Sequence, residues 1–224
     1  MNCVISELIC IVKWIYFNSK DFKTNWTTAF SSVRFKIQVI ITLVLLLILL
    51  SSLSYFFTFI ETRTGEKLGD YFLQHLPSYN VSIITFIIIY STALTGIINL
   101  LPRPIQFIQA VQAYFLILLL RIPSIYFFPL EAPDGIIPLE DPFVETFFYG
   151  HVRITKDLFF SGHVATVCLL YLVNPYPRLR YFYLGSVLIV AFLILLQHAH
   201  YTLDVVAAPF FAWLCFMIPR QLKF

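Results

Sequence analysis

Long apolar runs, separated by short polar or proline-bearing stretches, set the pattern of the chain. A helix that crosses a bilayer needs about 20 consecutive apolar residues with few charges. Ile37–Ile60 meets this without a single charge. The same reading predicts spans at 37–60, 81–101, 104–120, 158–174, 181–198 and 201–218. The third is short, bounded by Arg103 and Arg121, and carries Gln106, Gln109 and Gln112. Their spacing puts them on one helical face, which reads as a stripe bonding to neighbouring helices. Between the spans lie a polar stretch at 61–80, a tight Leu101-Pro102-Arg103-Pro104 turn, and a turn at Asn174–Arg180. The longest connection, 121–157, holds Pro123, Pro129, Pro133, Pro138, Pro142 and Asp134-Gly135, so it cannot be one helix. The predicted architecture is an all-α membrane protein: a six-transmembrane-helix bundle over 37–224 with a Pro-rich non-cytoplasmic loop. Residues 1–36 form a preceding cytoplasmic or interfacial segment. Within it, Cys3–Phe17 reads as an interfacial helix with Trp14, Tyr16 and Phe17 at headgroup level. Glu7, Lys13 and Lys20 interrupt its apolar run, and no small-residue cleavage site follows, so it does not read as a signal peptide.

Composition agrees with a bilayer as solvent. Of the residues 59% are hydrophobic and 12% charged, against about half and about a quarter in soluble domains. A net charge of +3, with no basic run interleaved with aromatics, argues against nucleic-acid binding. Cys3, Cys10, Cys168 and Cys215 form no C-x-x-C pair and read as packing residues. Lys and Arg fall unequally on the two sides. Lys13, Lys20, Lys23, Arg34, Lys36, Arg103, Arg178, Arg180, Arg220 and Lys223 share one, and Arg63, Lys67, Arg121, Arg153 and Lys156 the other. This bias places both termini in the cytoplasm and the first, third and fifth loops in the periplasm, lumen or exterior. The short tails suggest a bacterial inner membrane. In a eukaryote, Asn25-Trp26-Thr27 and Asn80-Val81-Ser82 would be sequons, with only the second on the lumenal side.

Against this background two stretches carry ionisable residues at membrane depth, where they are costly and mark functional candidates. One is Phe160-Ser161-Gly162-His163; the other is His198-Ala199-His200-Tyr201-Thr202-Leu203-Asp204. Span parity puts Arg121, Lys156, His163, His200 and Asp204 on one membrane face whichever way the protein inserts. His200 and Asp204, four apart, share a helical face. A carboxylate on one imidazole nitrogen fixes the tautomer and leaves the other nucleophilic. His163 follows Ser161-Gly162 at a helix start, where free amides and the helix dipole favour an anion such as phosphate. A second histidine there can protonate a leaving oxygen, and Arg121 can clamp the phosphate. Together these parts suit phosphoryl transfer through a phosphohistidine. Alternatives stay open: a lone histidine in a span is often a bundle hydrogen-bonder. His198, His200 and Asp204 also suggest zinc, but histidines two apart on a helix diverge by about 200°. No metal or cofactor is therefore expected, and His198 reads as structural.

Lys156-Asp157-Leu158-Phe159-Phe160-Ser161-Gly162-His163 and His198-Ala199-His200-Tyr201-Thr202-Leu203-Asp204-Val205-Val206 resemble the two signature motifs of sphingomyelin synthases. That family lies within the type 2 phosphatidic acid phosphatase superfamily. Arg121-Ile122-Pro123-Ser124-Ile125-Tyr126, followed by Leu130 and Pro133, is similar to a third motif. The resemblance runs from about Arg121 to the C-terminus and implies a cofactor-free enzyme. In it His200 is the nucleophile, oriented by Asp204, and His163 is the general acid, then base. It further implies contacts to substrate from Arg121, Tyr126, Lys156, Asp157, Ser161, Gly162 and Tyr201. The implied partners are a glycerophospholipid donor and a ceramide or diacylglycerol-type acceptor. The implied reaction moves phosphocholine or phosphoethanolamine. The chain departs from the family pattern at Thr155-Lys156, where Cys-Gly is usual, and at Ala199, where a charged residue can occur.

Two competing functions remain. A lipid phosphate phosphatase would carry Lys-x6-Arg-Pro and Ser-Arg before the last motif. Here the Lys position is Gly96, ahead of Arg103-Pro104, and the Ser-Arg positions are Leu193 and Ile194. A phospholipase C side activity stays open, since water can intercept a phosphohistidine. A non-enzymatic lipid-binding protein would not need His163, His200 and Asp204 together.

Overall fold

The computed structural model describes residues 22–141 and 154–222. Cys3–Phe17, Pro142 and Arg153 fall outside the described residues. Among the described residues the regular elements are all helices, without strands. Helix α1 covers 22–31 and α2 Val33–Glu61. Then come α3 (Tyr71–His75), α4 (Ser82–Leu100), α5 (Pro104–Phe127), α6 (Gly162–Val173), α7 (Arg180–Leu196) and α8 (Thr202–Met217). Among the described residues five helices are long and apolar enough to cross a membrane, and α6 is a shorter apolar one.

Two differences from the sequence expectation matter for function. First, α5 runs past Leu120 to Phe127. Pro123 forfeits one hydrogen bond within it. The charge of Arg121 is no obstacle, because it is matched inside the protein by the Asp157 carboxylate. Second, α6 has 12 residues and begins at Gly162 instead of Leu158. At 1.5 Å per residue it measures about 18 Å, against about 30 Å of hydrocarbon. Residues 154–161 lead into it without helix. Irregular backbone at such depth survives only where protein groups satisfy its polar atoms. They do so here: the Glu61 carboxylate accepts from the amides of Thr155 and Lys156, Arg121 Nε donates to Phe160 O (3.1 Å), and Ser161 N donates to Asp204 O (3.1 Å).

Helix α6 is the hub of the bundle, packed against α4, α5, α7 and α8. Its contact with α8 is close because Ala165, Ala208 and Ala212 are all fully buried small residues. Exposed Leu47, Ile48, Ile83, Leu188, Phe192 and Val206 form the outer, lipid-compatible surface. Gln109 and Gln112 bond to Pro219 O and Thr42 Oγ1, whereas Gln106 is exposed.

A cap covers the end of the bundle where α6 and α8 begin. Its two strips, 62–81 and 128–141, are tied by Glu66 N donating to Pro129 O and Glu131 N donating to Glu66 O (both 2.9 Å). The Glu131 carboxylate accepts from Gly65 N (2.9 Å) and Lys156 Nζ (3.0 Å), and both contacts hold its pKa below the usual value. Asp70 fastens the cap to α8. Burial acts against its charge, but the Thr202 amide (2.6 Å) and hydroxyl (3.0 Å), with the Leu73 and Phe72 amides, prevail and hold its pKa down.

A carboxyl with a depressed folded pKa adds stability above its unfolded value, about 3.9, and loses it as pH falls through the folded value. The melting temperature of detergent-solubilised protein should therefore drop below about pH 4. Asp70→Asn should melt lower at pH 7 and show a shallower acid decline. Identical pH profiles for the two proteins would refute this role.

Candidate active site

The site is assembled from the C-terminal part of α5 and the first turns of α6 and α8. Ser161 is the N-cap of α6 and its Oγ accepts from Val164 N. The first helical amides have no intrahelical partner, which leaves those of Gly162 and His163 open to an incoming anion. Arg121 lies directly across this helix start. A Cβ built on Gly162 would fall 2.4 Å from Arg121 Nη1 and 2.8 Å from Cζ. The absence of a side chain at Gly162 is therefore what makes room for the guanidinium beside the helix start. Arg121 is 8% exposed and its position is fixed by Phe160 O and by an ion pair with Asp157.

On α8, Asp204 is fully buried and occupies the first turn. Its Oδ2 lies 3.4 Å from His200 Nδ1 and accepts from Tyr201 N at 3.1 Å. Asp204 Oδ1 is buried without a partner among the described residues, as is His163 Nδ1. His163 is the second residue of α6, and the ionisable groups that act on it are His200, Arg121, Asp157 and Asp141. The structure thus gathers Arg121, Asp157, Ser161, Gly162, His163, His200 and Asp204 at one end of the bundle. The Ser161 N to Asp204 O bond stitches the two motifs together.

Three residues expected to touch substrate are engaged elsewhere. Lys156 Nζ donates to Arg63 O (2.6 Å) and Glu131 and belongs to the cap, beside a surface cleft lined by Arg63 and Ile60. Tyr126 is 47% exposed and stacks on Phe59 under the Arg63 guanidinium. Tyr201 is buried, with its hydroxyl bound to Leu68 N and Glu131 O. His198 also faces away: its ring nitrogens lie 2.7 Å from Asp134 O and 2.9 Å from Leu76 O, tying both cap strips to the turn before α8.

Sequence reasoning missed Phe86, whose ring stands edge-on to His163, and Asp141, which acts on His163 electrostatically; Tyr90 stacks on Phe86 and donates to Asp141. The stripe of α4 that carries the two aromatics reads as ordinary core, and Asp141 sits in a proline-rich loop whose path no local pattern dictates.

The positions where a phosphatase would place extra cations are closed. Gly96 is buried, and a Cβ there would meet the Leu170 side chain at 2.7 Å. Leu193 and Ile194 are core residues, and Arg103 is bound to Asn99 O and the Tyr176 hydroxyl.

Residues 156–221 match the family model described as PAP2 superfamily C-terminal. The matched segment spans α6, α7 and α8, and so holds every site residue except Arg121. The match supports the type 2 phosphatidic acid phosphatase superfamily and, with it, an enzyme of the lipid phosphatase or phosphotransferase type. No curated protein matches the chain.

Proposed function

We propose that this multi-pass membrane protein is a lipid phosphotransferase. It moves phosphocholine or phosphoethanolamine from a glycerophospholipid to ceramide or a similar lipid alcohol. The observation that carries the reading is the pairing of His200 with Asp204 within electrostatic reach of His163, at a helix start faced by Arg121. Asp204 on Nδ1 keeps the proton there and leaves the Nε2 lone pair as nucleophile. Nε2 attacks phosphorus while the bond to the diacylglycerol oxygen breaks, and His163 delivers a proton to that oxygen. The acceptor hydroxyl then gives its proton to His163, its oxygen attacks phosphorus, and the P–N bond breaks. Arg121 and the α6 amides balance the charge on the phosphoryl oxygens throughout.

Transfer is favoured over monoester hydrolysis because, among the described residues, Arg121 is the cation at the helix start and the positions of Gly96, Leu193 and Ile194 leave no room for another. One cation suits a monoanionic phosphodiester better than a dianionic monoester. By the charge bias of the loops, the site faces away from the cytoplasm.

The test supplies purified protein with phosphatidylcholine, phosphatidylethanolamine or phosphatidic acid, with and without ceramide, and reads products by mass spectrometry. A ceramide phosphodiester with matching diacylglycerol is expected, and His163→Ala should lower its formation about 10²–10⁴-fold. Inorganic phosphate from phosphatidic acid as the sole product would replace this reading with the phosphatase one. Full turnover by His163→Ala would remove the acid–base assignment.

A further inference from the structure

We infer that the end of the bundle opposite the candidate site holds an anionic phospholipid, its phosphate on Arg103, Arg178 and Arg180 and its chains along α7. This goes beyond headgroup transfer and does not depend on it. The connection between α6 and α7 meets the turn between α4 and α5 at this end. Asn174 fixes the connection: its Nδ2 donates to Tyr176 O (2.8 Å) and its Oδ1 accepts from Tyr176 N (3.0 Å). Arg103 Cζ lies 4.6 Å from the centre of the Tyr176 ring, and its Nη1 donates to the Tyr176 hydroxyl (2.9 Å). Arg180 repeats this on Tyr171, with Cζ 5.6 Å from the ring centre and Nε donating to the hydroxyl (2.9 Å). Arg178, two residues from both Tyr176 and Arg180, is exposed in the helical turn Pro177–Leu179.

Charge and hydrogen-bonding capacity select the ligand. Among the described residues every Asp and Glu lies at the candidate site's end of the bundle, and so does every ion pair. Among those residues, Arg103 and Arg180 are held by neutral oxygens alone. An arginine already ordered against a ring gives up little freedom on binding, and its planar fork matches phosphate oxygens. Both tyrosine hydroxyls accept from arginine, which leaves the hydrogen of each to donate to the same phosphate. The adjoining surface is apolar. Leu184 and Leu188 follow Arg180 at four-residue steps on one face of α7 and are 39% and 62% exposed. A cation cluster at the head of an exposed apolar stripe fits a phosphate that carries acyl chains. A net anionic headgroup is preferred to a zwitterionic one, because no described carboxylate stands at this end to receive an ammonium.

Native mass spectrometry of delipidated full-length protein in a non-ionic detergent tests this, with phosphatidylglycerol and phosphatidylcholine of equal chain length added in equal amounts. At least about tenfold preferential retention of phosphatidylglycerol is expected. Arg178→Gln/Arg180→Gln should bring the preference to within about twofold. Both side chains are exposed, so the melting temperature of that variant should stay within a few degrees of wild type. Tyr171→Phe/Tyr176→Phe removes no charge and keeps both rings, and should weaken the preference about threefold through the lost hydroxyls. Lys23→Gln/Lys36→Gln removes as much charge from the same end and should leave the preference within about twofold of wild type. Equal retention of the two lipids, or a preference that survives both the arginine and the tyrosine changes, would overturn the inference. An equal loss in the lysine variant would also overturn it, by showing attraction to a positive surface at large. Glycerophosphoglycerol, the same headgroup without chains, should not displace the lipid at equal concentration; displacement would overturn the lipid assignment in favour of a free anion.

Discussion

His200→Ala should abolish headgroup transfer, and Asp204→Asn should lower it about 10³-fold while the protein stays folded. The two losses have different origins. Without the imidazole no P–N bond forms. A donor labelled at phosphorus should mark the wild-type chain after rapid quenching and leave His200→Ala unlabelled. Asp204→Asn keeps the shape of the side chain but removes the fixed acceptor at Nδ1. The amide can turn its NH2 toward His200, which moves the imidazole proton to Nε2 and removes the attacking lone pair. Labelling of Asp204→Asn should therefore still occur, but slowly. The same Asp204 Oδ2 accepts from Tyr201 N at the start of α8, so the turned amide gives up this one bond, a loss of about 1 kcal/mol. The melting temperature of Asp204→Asn should accordingly stay within a few degrees of wild type. A large drop in melting temperature would mean the activity loss reports on α8 and not on His200. Normal labelling of His200→Ala would transfer the nucleophile's role to another residue.

The legible part of this site was the part fixed by chain topology. Counting spans places Arg121, His163, His200 and Asp204 at one membrane end, because parity depends only on how often the chain crosses. Helical spacing sets His200 against Asp204. Depth was less legible. An apolar run cannot reveal that Leu158 and Phe160 are buried in non-helical backbone and that the helix waits until Gly162. The delay depends on partners distant in sequence, Glu61, Arg121 and Asp204, which satisfy amides and carbonyls that a helix would have satisfied itself. The same long-range pairing explains Lys156. It adjoins the signature stretch, yet Glu131 and Arg63 O draw its ammonium into the cap. Adjacent residues of one motif thus split between the candidate site and the cap, with Asp157 on Arg121 and Lys156 on Glu131.

Gly162→Ala should reduce transfer about 10²-fold although it adds a single methyl group to a helix. Alanine is the better helix former, so α6 itself gains from the change. The cost falls on Arg121, whose Nη1 stands 2.4 Å from where the methyl carbon would sit. The guanidinium cannot yield freely, since Phe160 O and Asp157 fix it from the other side. It must either leave these partners or move off the helix start, and both separate it from the α6 amides that share the phosphate. Arg121→Lys should cost a similar factor by a different route, replacing a planar fork with a point charge that cannot serve Phe160 O, Asp157 and phosphate together. Because both changes act through the same guanidinium, their effects should not add. Gly162→Ala/Arg121→Lys should be no slower than Arg121→Lys alone, within about threefold. Additive losses near 10⁴-fold would show that Gly162 serves the phosphate through its own backbone and not by making room for Arg121.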